Sequence, residues 1–385
     1  MKKTVIVNAH VVSPGVDIEN ATIIVEGKKI KKVVKGSKAV KSDANTTVVD
    51  VRGQYVMPGF IDVHTHGALG YDFCDADPKA VFEFAKAKLA EGVTTVLPTT
   101  LTVSNGELKA AARNAKAYAD AGMPYAKVPG IHLEGPFINV KCCGAQNPKF
   151  VRKPDIKEVK EIAKIYPVKL ISYAVETEGG DKFAKECFKA GVVPSCGHTA
   201  ATMEQYKAGQ AKGLCRLTHF CNQMTKLHHR EIGMVGAGLY DDKTYIEMIC
   251  DKIHLCPDMI ALAFKVKPID KILLITDAME ATGLPDGNYQ LGGLAVVVSD
   301  GAARLASNGA LAGSTLQFNT AFKNVAEVTG KPLCQLVKAT SYNQACNLGI
   351  KNLGKIEEGF IADLTVLDDE FAVNQVYLDG VCKFK

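Results

Sequence analysis

Two histidines separated by a single residue lie in the segment DVHTHG, residues 62–67. Side chains alternate along a β-strand, so His64 and His66 would point toward the same place if a strand ends here. Two imidazoles at one place can bind a divalent metal ion. A pair of this kind is weak evidence by itself, because histidines at this spacing also occur as ordinary polar residues at strand ends.

Four more segments place an imidazole or a carboxylate directly after a strand-like run. They are HLEGPF (132–137) with Glu134, CGHT (196–199) with His198, THF (218–220) with His219 and TDA (276–278) with Asp277. Taken singly, Glu134 is explained as a salt-bridged acid, and His198 or His219 as a buried core histidine. Taken together, five strand ends carrying metal-binding side chains predict one shared metal site, since the ligands in a barrel come from several strand ends.

The segments that must position these residues alternate between strand-like and helical patterns, which predicts βα units around a parallel sheet. The helical patterns, for example 78–92 and 181–190, carry Ala, Lys, Glu and Phe at helical spacing. Eight strands are expected, the number of a (β/α)8 TIM-like barrel, and we assign residues 56–356 to it. The predicted strands are 56–63, 93–97, 128–133, 168–174, 192–195, 214–218, 245–250 and 272–276.

Both ends of the chain have a different character. Residues 1–55 consist of short β-runs separated by Gly, Pro and Asn turns, and residues 357–385 share this pattern. We therefore expect a small β-sandwich domain formed from both termini. Residues 283–309 interrupt the helical pattern and predict a β-hairpin inserted after the eighth strand.

Composition restricts the class of protein. The chain has 385 residues, of which 47% are apolar, and its 46 basic and 41 acidic residues leave a net charge of +5 spread along the sequence. This argues against nucleic acid or a membrane as a partner and is compatible with a small anionic substrate. The N-terminal apolar run breaks at Asn8, too early for a signal peptide. Twelve cysteines, mostly single residues in apolar runs, then predict reduced thiols in the cytoplasm.

In their order along the chain, the segments resemble the motifs of the N-acetylglucosamine-6-phosphate deacetylases, within the amidohydrolase superfamily. The resemblance rests on His64-x-His66, HLEGPF, GHT (197–199), THFCN (218–222), HRE (229–231) and TDA, with HLEGPF the most specific. It covers nearly the whole chain, including the split sandwich. Other superfamily members use a modified lysine after the fourth strand. Here the only lysine of that strand, Lys169, lies near its start and is poorly placed to bridge metal ions.

The resemblance implies hydrolysis of N-acetyl-D-glucosamine 6-phosphate to D-glucosamine 6-phosphate and acetate, in amino-sugar catabolism or recycling. Glu134, His198 and His219 would hold one divalent ion, which acidifies a water molecule and polarises the amide carbonyl. His64 and His66 would hold a second ion, as in family members that retain this pair. Asp277 would be the general base, and later the acid that protonates the leaving amine. These ligands suit zinc or iron, with one or two ions per subunit.

The resemblance also implies a site for the phosphorylated amino sugar. Arg230, with His229, would bind the phosphate, because a guanidinium group offers it two parallel hydrogen bonds. A surface arginine beside Glu231 is the alternative explanation. In this family the phosphate site lies close to a dimer interface, so a homodimer is implied. The other substrate-binding residues implied are Ala145, Gln146, Asn222, Gln223, His254, Leu311, Ala312 and Gly313.

Two residues depart from the family's pattern: Lys252 stands where Gly is common, and Gln146 where His is common. Both positions would face sugar or phosphate, so they bear on the substrate and not on the reaction type. Cys142 and Cys143, in the same loop as Gln146, are explained as chance neighbours in a cysteine-rich chain, with a local redox or metal-binding pair as the alternative. The alternative functions are another metal-dependent amidohydrolase, acting on a different acetylated sugar or a cyclic amide, and a non-catalytic protein on the same fold.

Overall fold

Eight parallel strands form a barrel in the computed structural model, which describes residues 2–36 and 42–385. Each strand pairs in parallel with the next along the chain. The backbone N–H of Asp277 donates to the carbonyl of His64 (2.8 Å), which joins the end of the last strand to the first. The barrel strands are Phe60–Thr65, Val93–Thr100, Ile131–Glu134, Val168–Tyr173, Val193–Cys196, Arg216–Leu217, Tyr245–Ile249 and Ile272–Ile275.

Helices follow the strands and bury an apolar face against them. Val81 and Phe84 of the first helix pack in one core with Val93 and Val96 of the second strand. The α-helices are Lys79–Ala90, Asn105–Asp120, Ile156–Ala163, Gly180–Lys189, Met203–Gln210, Gly233–Tyr240, Pro257–Val266, Phe318–Thr329, Leu333–Leu336 and Tyr342–Asn347. Short 3₁₀ turns are Val140–Cys142, Pro148–Phe150, Ile269–Lys271 and Val337–Thr340. Among the described residues, no helix is both long and apolar enough to cross a membrane.

A second sheet is built from both ends of the chain. Its strands are Lys3–Ser13, Val16–Glu26, Lys29–Lys35, Thr46–Asp50, Tyr55–Pro58, Leu364–Leu367, Val373–Leu378 and Val381–Phe384. The first strand pairs with Thr46–Asp50 along its first half and with Tyr55–Pro58 further on. The sheet therefore splits into two branches, and its apolar residues form a core separate from that of the barrel. Tyr55–Pro58 also pairs with Leu364–Leu367, which joins the two termini. The predicted fold class, a barrel with a β-domain from both termini, is confirmed.

The boundary between these two parts lies inside the first predicted strand. The structure divides residues 56–63 at Gly59, so that one part joins the terminal sheet and the other the barrel. A Cβ atom at Gly59 would lie 2.2 Å from the Thr94 side chain, so only glycine fits at this crossing. The predicted domains, 1–55 with 357–385 and 56–356, stay a prediction. Residue 1 and residues 37–41 lie outside the described residues.

The segment after the eighth barrel strand is a three-stranded antiparallel sheet, where a two-stranded hairpin was predicted. Its strands are Gly287–Leu291, Leu294–Ser299 and Ala302–Leu305. The third strand is short and contains Arg304 between alanines and a leucine, which left no clear alternation in the sequence. A smaller pair, Gly67–Ala68 and Tyr71–Asp72, follows the first barrel strand.

Candidate active site

Glu134, the last residue of the third barrel strand, lies at the centre of a cluster of histidines. Its Oε1 atom is 3.2 Å from His198 Nε2 and 3.0 Å from His219 Nε2. The two imidazole nitrogens are themselves 3.0 Å apart. All three side chains are buried, and their donor atoms are close enough to hold one metal ion between them.

A second group of potential ligands shares the same carboxylate. His64 Nε2 lies 3.4 Å from Glu134 Oε1, and His66 Nε2 lies 3.3 Å from Glu134 Oε2. These three side chains also meet the distance requirement for a metal site. Asp277 Oδ1 is 3.4 Å from His64 Nε2 and 3.1 Å from His66 Nε2. The five predicted ligands and Asp277 therefore converge on one locus at the carboxyl ends of the strands.

The backbone turns sharply where three of these residues leave their strands. His198, His219 and Asp277 have positive φ angles of 47°, 29° and 51°. This region is unfavourable for residues with a side chain and is found at functional sites that the surrounding structure holds in place. The strained turns point each side chain inward across the mouth of the barrel.

At the first strand, simple alternation does not hold. Asp62 contacts Lys88 of the first helix, whereas Val63 belongs to a cluster with Leu97 and Leu170 of other strands. The pairing with the second strand is irregular between Asp62 and Thr65. This irregularity brings His64 to the inner side, and the pair of histidines meets as predicted.

The Nδ1 atoms of His66 and His198 test whether the cluster fits a metal ion. His66 Nδ1 lies 3.1 Å from the Thr99 carbonyl, and His198 Nδ1 lies 2.8 Å from the Cys142 carbonyl. A carbonyl accepts hydrogen bonds only, so Nδ1 carries a proton and Nε2 is the nitrogen that can bind a metal ion once its own proton is lost. His64 Nε2 is buried without a hydrogen-bond partner. The donor set is the one found in metal-binding histidines, so the residues fit a divalent cation.

The histidines and carboxylates of the cluster shift one another's pKa values. Burial disfavours a charged His66, but hydrogen bonds to Asp277 and Glu134 outweigh this effect and raise its pKa to about 10. Burial likewise opposes ionisation of Glu134, yet the charge of His64 and hydrogen bonds from His198 and His219 hold its pKa well below the usual range. The pKa of Asp277 is lowered against burial by His64 and His66. Protons on the histidines thus balance the carboxylates, and a bound cation would displace them.

A cavity of about 280 Å³ opens above the cluster. His66, Glu134, His198, His219 and Asp277 form part of its wall, while His64 lies beneath. Seven of the predicted substrate-binding residues line it: Ala145, Gln146, Asn222, Gln223, His254, Leu311 and Gly313. Leu291, from the three-stranded insertion, closes one side.

Comparison with known proteins agrees with this geometry. Residues 55–382 match the amidohydrolase family. The chain belongs to the amidohydrolase family. It is 36% identical over 330 residues to the N-acetylglucosamine-6-phosphate deacetylase of Lysinibacillus sphaericus, covering 85% of both chains. It is also 36% identical over 337 residues to the N-acetylgalactosamine-6-phosphate deacetylase of Escherichia coli O157:H7, covering 87% of this chain and 89% of that one.

A solved structure is similar over the full length of this amidohydrolase. It is a mutant N-acetyl-D-glucosamine-6-phosphate deacetylase from Mycobacterium smegmatis in complex with N-acetyl-D-glucosamine-6-phosphate, with a TM-score of 0.91, 29% identity and 100% coverage of both chains. The family is metal-dependent, in agreement with the two ligand groups around Glu134.

Gln146 joins the wall of the cavity to the metal cluster. Its Nε2 atom donates to Glu134 Oε2 (2.5 Å), and its Oε1 atom accepts from the backbone N–H of Thr102 (2.6 Å). The side chain is 5% exposed. In this amidohydrolase Gln146 therefore orients the central carboxylate. Its predicted contact with substrate stays a prediction.

The predicted phosphate-binding residues lie outside the wall of this cavity. His229 and Arg230 are exposed on the loop after the sixth strand, with Arg230 Nη1 2.6 Å from His229 Nε2. Ala312 is buried behind its neighbours Leu311 and Gly313. The roles of all three residues stay predictions.

The remaining predicted positions are satisfied by local contacts. His254 Nδ1 lies 2.6 Å from Asp251 Oδ2, so Nε2 is the ring nitrogen that remains for other contacts. Lys252 forms an ion pair with Glu327 (2.8 Å). Cys142 and Cys143 are free thiols, and burial raises the pKa of each, so neither is activated as a thiolate.

Sequence reasoning missed two charged residues beneath the cluster. Glu247 and Arg216 are fully buried, and Arg216 Nη2 lies 2.6 Å from Glu247 Oε1. The available indication was one charged residue in each of two apolar runs, LCRL (214–217) and YIEMI (245–249). Buried charges of this kind are rare unless paired, but the sequence alone does not show the pairing.

Proposed function

We propose that this amidohydrolase removes the acetyl group of N-acetyl-D-glucosamine 6-phosphate, producing D-glucosamine 6-phosphate and acetate. The observation that carries the proposal is the convergence of four histidines and two acids from five strand ends around Glu134, at the floor of a cavity. The deacetylases that resemble this chain over 85% or more of its length support the substrate.

The metal would be held by the two groups that share Glu134. We assign His198 and His219 to one position and His64 and His66 to the other, with zinc or iron as the ion. Bound there, a divalent cation supplies the positive charge that acidifies a water molecule and polarises an amide carbonyl. Burial excludes competing water from the cluster and strengthens these interactions.

Asp277 would carry the proton. Its pKa is held below the usual range, so the carboxylate is ionised at neutral pH and able to accept a proton from the attacking water. Its Oδ1 atom lies beside His66 Nε2 and borders the cavity, within reach of a bound amide. The same carboxyl group would return the proton to the departing amine, which completes hydrolysis without another acid.

The sugar would lie in the cavity above these groups. We assign its contacts to Ala145, Gln146, Asn222, Gln223, His254 and the segment 311–313, and its phosphate to His229 and Arg230. The last two lie on an exposed loop outside the cavity wall, so the phosphate would extend from the cavity toward this loop. The exposed position also agrees with a phosphate site close to a second subunit, and we propose a homodimer, which light scattering would test.

A second candidate substrate is N-acetyl-D-galactosamine 6-phosphate. The relative that bears this activity in its name is as similar to this chain as the N-acetylglucosamine-6-phosphate deacetylase, at 36% identity. The two sugars differ only in the configuration of one hydroxyl group. The reaction, the metal cluster and the role of Asp277 would be the same for both.

The experiment measures acetate release from both phosphorylated sugars and from N-acetyl-D-glucosamine, with metal content determined on the same preparation. We expect a strong preference for a phosphorylated substrate, and for the glucosamine epimer over the galactosamine epimer. A reversed order would select the second candidate. Equal rates with and without phosphate would point to another amidohydrolase activity, and metal-free inactive protein to a non-catalytic role.

Twelve free cysteines support a reducing compartment, and we propose the cytoplasm.

A further inference from the structure

Glu247 lies in the middle of the seventh barrel strand and is completely buried. It shares the inner side of the strand with Ile249, which packs against Ile61 and Leu170 of other strands. A carboxylate in such a place is costly unless it is paired and hydrogen-bonded. Arg216, of the neighbouring strand, supplies the opposite charge, with its Nε atom 2.7 Å from Glu247 Oε1.

The other carboxylate oxygen faces the metal cluster. Glu247 Oε2 lies 2.9 Å from His64 Nδ1. A carboxylate in this position accepts a hydrogen bond from Nδ1–H. The opposite nitrogen, Nε2, then faces Glu134 and Asp277. That nitrogen is buried and has no hydrogen-bond partner. The arrangement therefore leaves His64 with one atom able to bind a metal and fixes where this atom points.

Glu247 also holds the other group of ligands. Its Oε2 atom accepts from the backbone N–H of His219 (3.1 Å), and its carbonyl accepts from the N–H of Phe220 (2.7 Å). His219 is the residue with the strained φ angle of 29°. One side chain thus contacts a member of each ligand group, and both groups share Glu134.

The hydrogen-bonding partners of Glu247 require a carboxylate. Its oxygens accept from the Nε atom of Arg216 and the backbone N–H of His219, both of which are donors only, and Oε2 also faces the imidazole of His64. An amide at this position would direct its own N–H groups at donors. Arg216 is fixed in turn by Asn347, whose Oδ1 atom lies 2.7 Å from Nη1.

We propose that Glu247 is a positioning residue for the metal centre. Its carboxylate keeps the proton of His64 on Nδ1 and directs Nε2 into the metal site. The same carboxylate holds the backbone of His219 in place through a hydrogen bond from its N–H. This inference rests on the metal-dependent reaction proposed above but on no particular substrate, because its test measures metal binding.

The test separates this role from simple neutralisation of Arg216. Glu247→Asp keeps the charge beside Arg216 but withdraws the carboxylate from His64 by about 1.5 Å, the length of one C–C bond. We expect the variant to bind zinc at the His64–His66 position roughly 10 to 100 times more weakly, the usual effect of removing a partner of a metal-binding histidine. Zinc titration of the metal-free protein against a chromophoric chelator measures this.

Glu91→Asp is the matched control. Glu91 is also buried and paired with a basic residue, Lys88 (2.9 Å), but the groups it contacts, Lys88 and the backbone N–H of Phe318, are not metal ligands. We expect its zinc affinity to equal that of the unsubstituted protein. Equal affinity in folded Glu247→Asp, or an equal loss in both variants, would overturn the proposal. An unsubstituted protein that binds no zinc would instead overturn the proposed function.

A second measurement requires no change to Glu247. Histidines labelled with ¹⁵N in the zinc-loaded protein report which ring nitrogen carries a proton, and His64 is identified by the signal that disappears in His64→Gln. We expect His64 to be protonated at Nδ1 and to bind zinc through Nε2. A zinc-loaded protein in which His64 Nδ1 carries no proton would overturn the proposal, even if Glu247→Asp does not fold.

Discussion

Replacing Gln146 by methionine would remove two hydrogen bonds while keeping the length of the side chain. One of these bonds joins the amide to the ionised Glu134, and the other satisfies the backbone N–H of Thr102, a residue that is 1% exposed. A hydrogen bond to a charged group contributes about 1.5–3 kcal/mol, and a buried unsatisfied donor costs about 1–3 kcal/mol. The free energy of unfolding should therefore fall by about 2.5–6 kcal/mol.

The assay is thermal unfolding of the metal-free protein, followed by calorimetry. A chain of 385 residues has an unfolding entropy of roughly 0.8 kcal/mol per degree, so the loss corresponds to a Tm lower by roughly 3–7 °C. We expect Gln146→His to replace only one of the two bonds, so its Tm should lie between those of Gln146→Met and the unsubstituted protein.

Gln223→Met is the control for this change. Gln223 lines the same cavity but is exposed, so its Tm should remain that of the unsubstituted protein. If Gln146→Met unfolds within 1 °C of the unsubstituted protein, on the order of 1 kcal/mol, the two bonds do not support Glu134 and the reasoning is wrong. Metal content of the same variant provides an independent reading, since a misplaced Glu134 should weaken both ligand groups.

Three further predictions concern the proton carrier, the phosphate contact and the metal. Asp277→Asn should lower kcat by about 10²–10⁴-fold with metal content retained, because it removes the proton carrier; turnover near that of the unsubstituted enzyme would contradict this role. Arg230→Ala should raise KM for the phosphorylated sugar by about 10- to 100-fold and leave the unphosphorylated sugar unaffected, whereas equal losses would exclude a phosphate contact. Removing metal with a chelator should lower Tm by roughly 3 °C per site at a metal concentration 100 times Kd, reversibly; an unchanged Tm would mean that no metal binds to the folded protein.

The fold and the ligand set could be predicted because both depend on short-range patterns. A strand followed by an amphipathic helix is visible within about twenty residues, and residues at the end of a barrel strand face the same rim whichever strand they follow. The five strand ends could therefore be grouped before any distance was known, whereas the assignment of Glu134, His198 and His219 to one ion came from the resemblance. Alternation along one strand was less secure, since the pairing with the second strand is irregular between Asp62 and Thr65, the stretch that contains His64.

The residues around the ligands could not be predicted in the same way. Gln146 was assigned to substrate from its loop, but its amide joins Thr102 to Glu134, residues that are distant in sequence. Arg216 and Glu247 appeared as isolated charges in apolar runs, and their pairing depends on the register of the sixth and seventh strands. Closure of the cavity by Leu291 depends on how the inserted sheet folds back over the barrel.

The sequence by itself determined that this chain is a barrel with metal-binding side chains at five strand ends, because local periodicity and side-chain chemistry are written residue by residue. Only the tertiary structure decided which atoms of those side chains meet. Glu134 shares its two oxygens between two groups of histidines, and Glu247 turns His64 toward it. Such contacts join residues more than 50 positions apart, and their geometry follows from strand register and strained turns that no local pattern specifies.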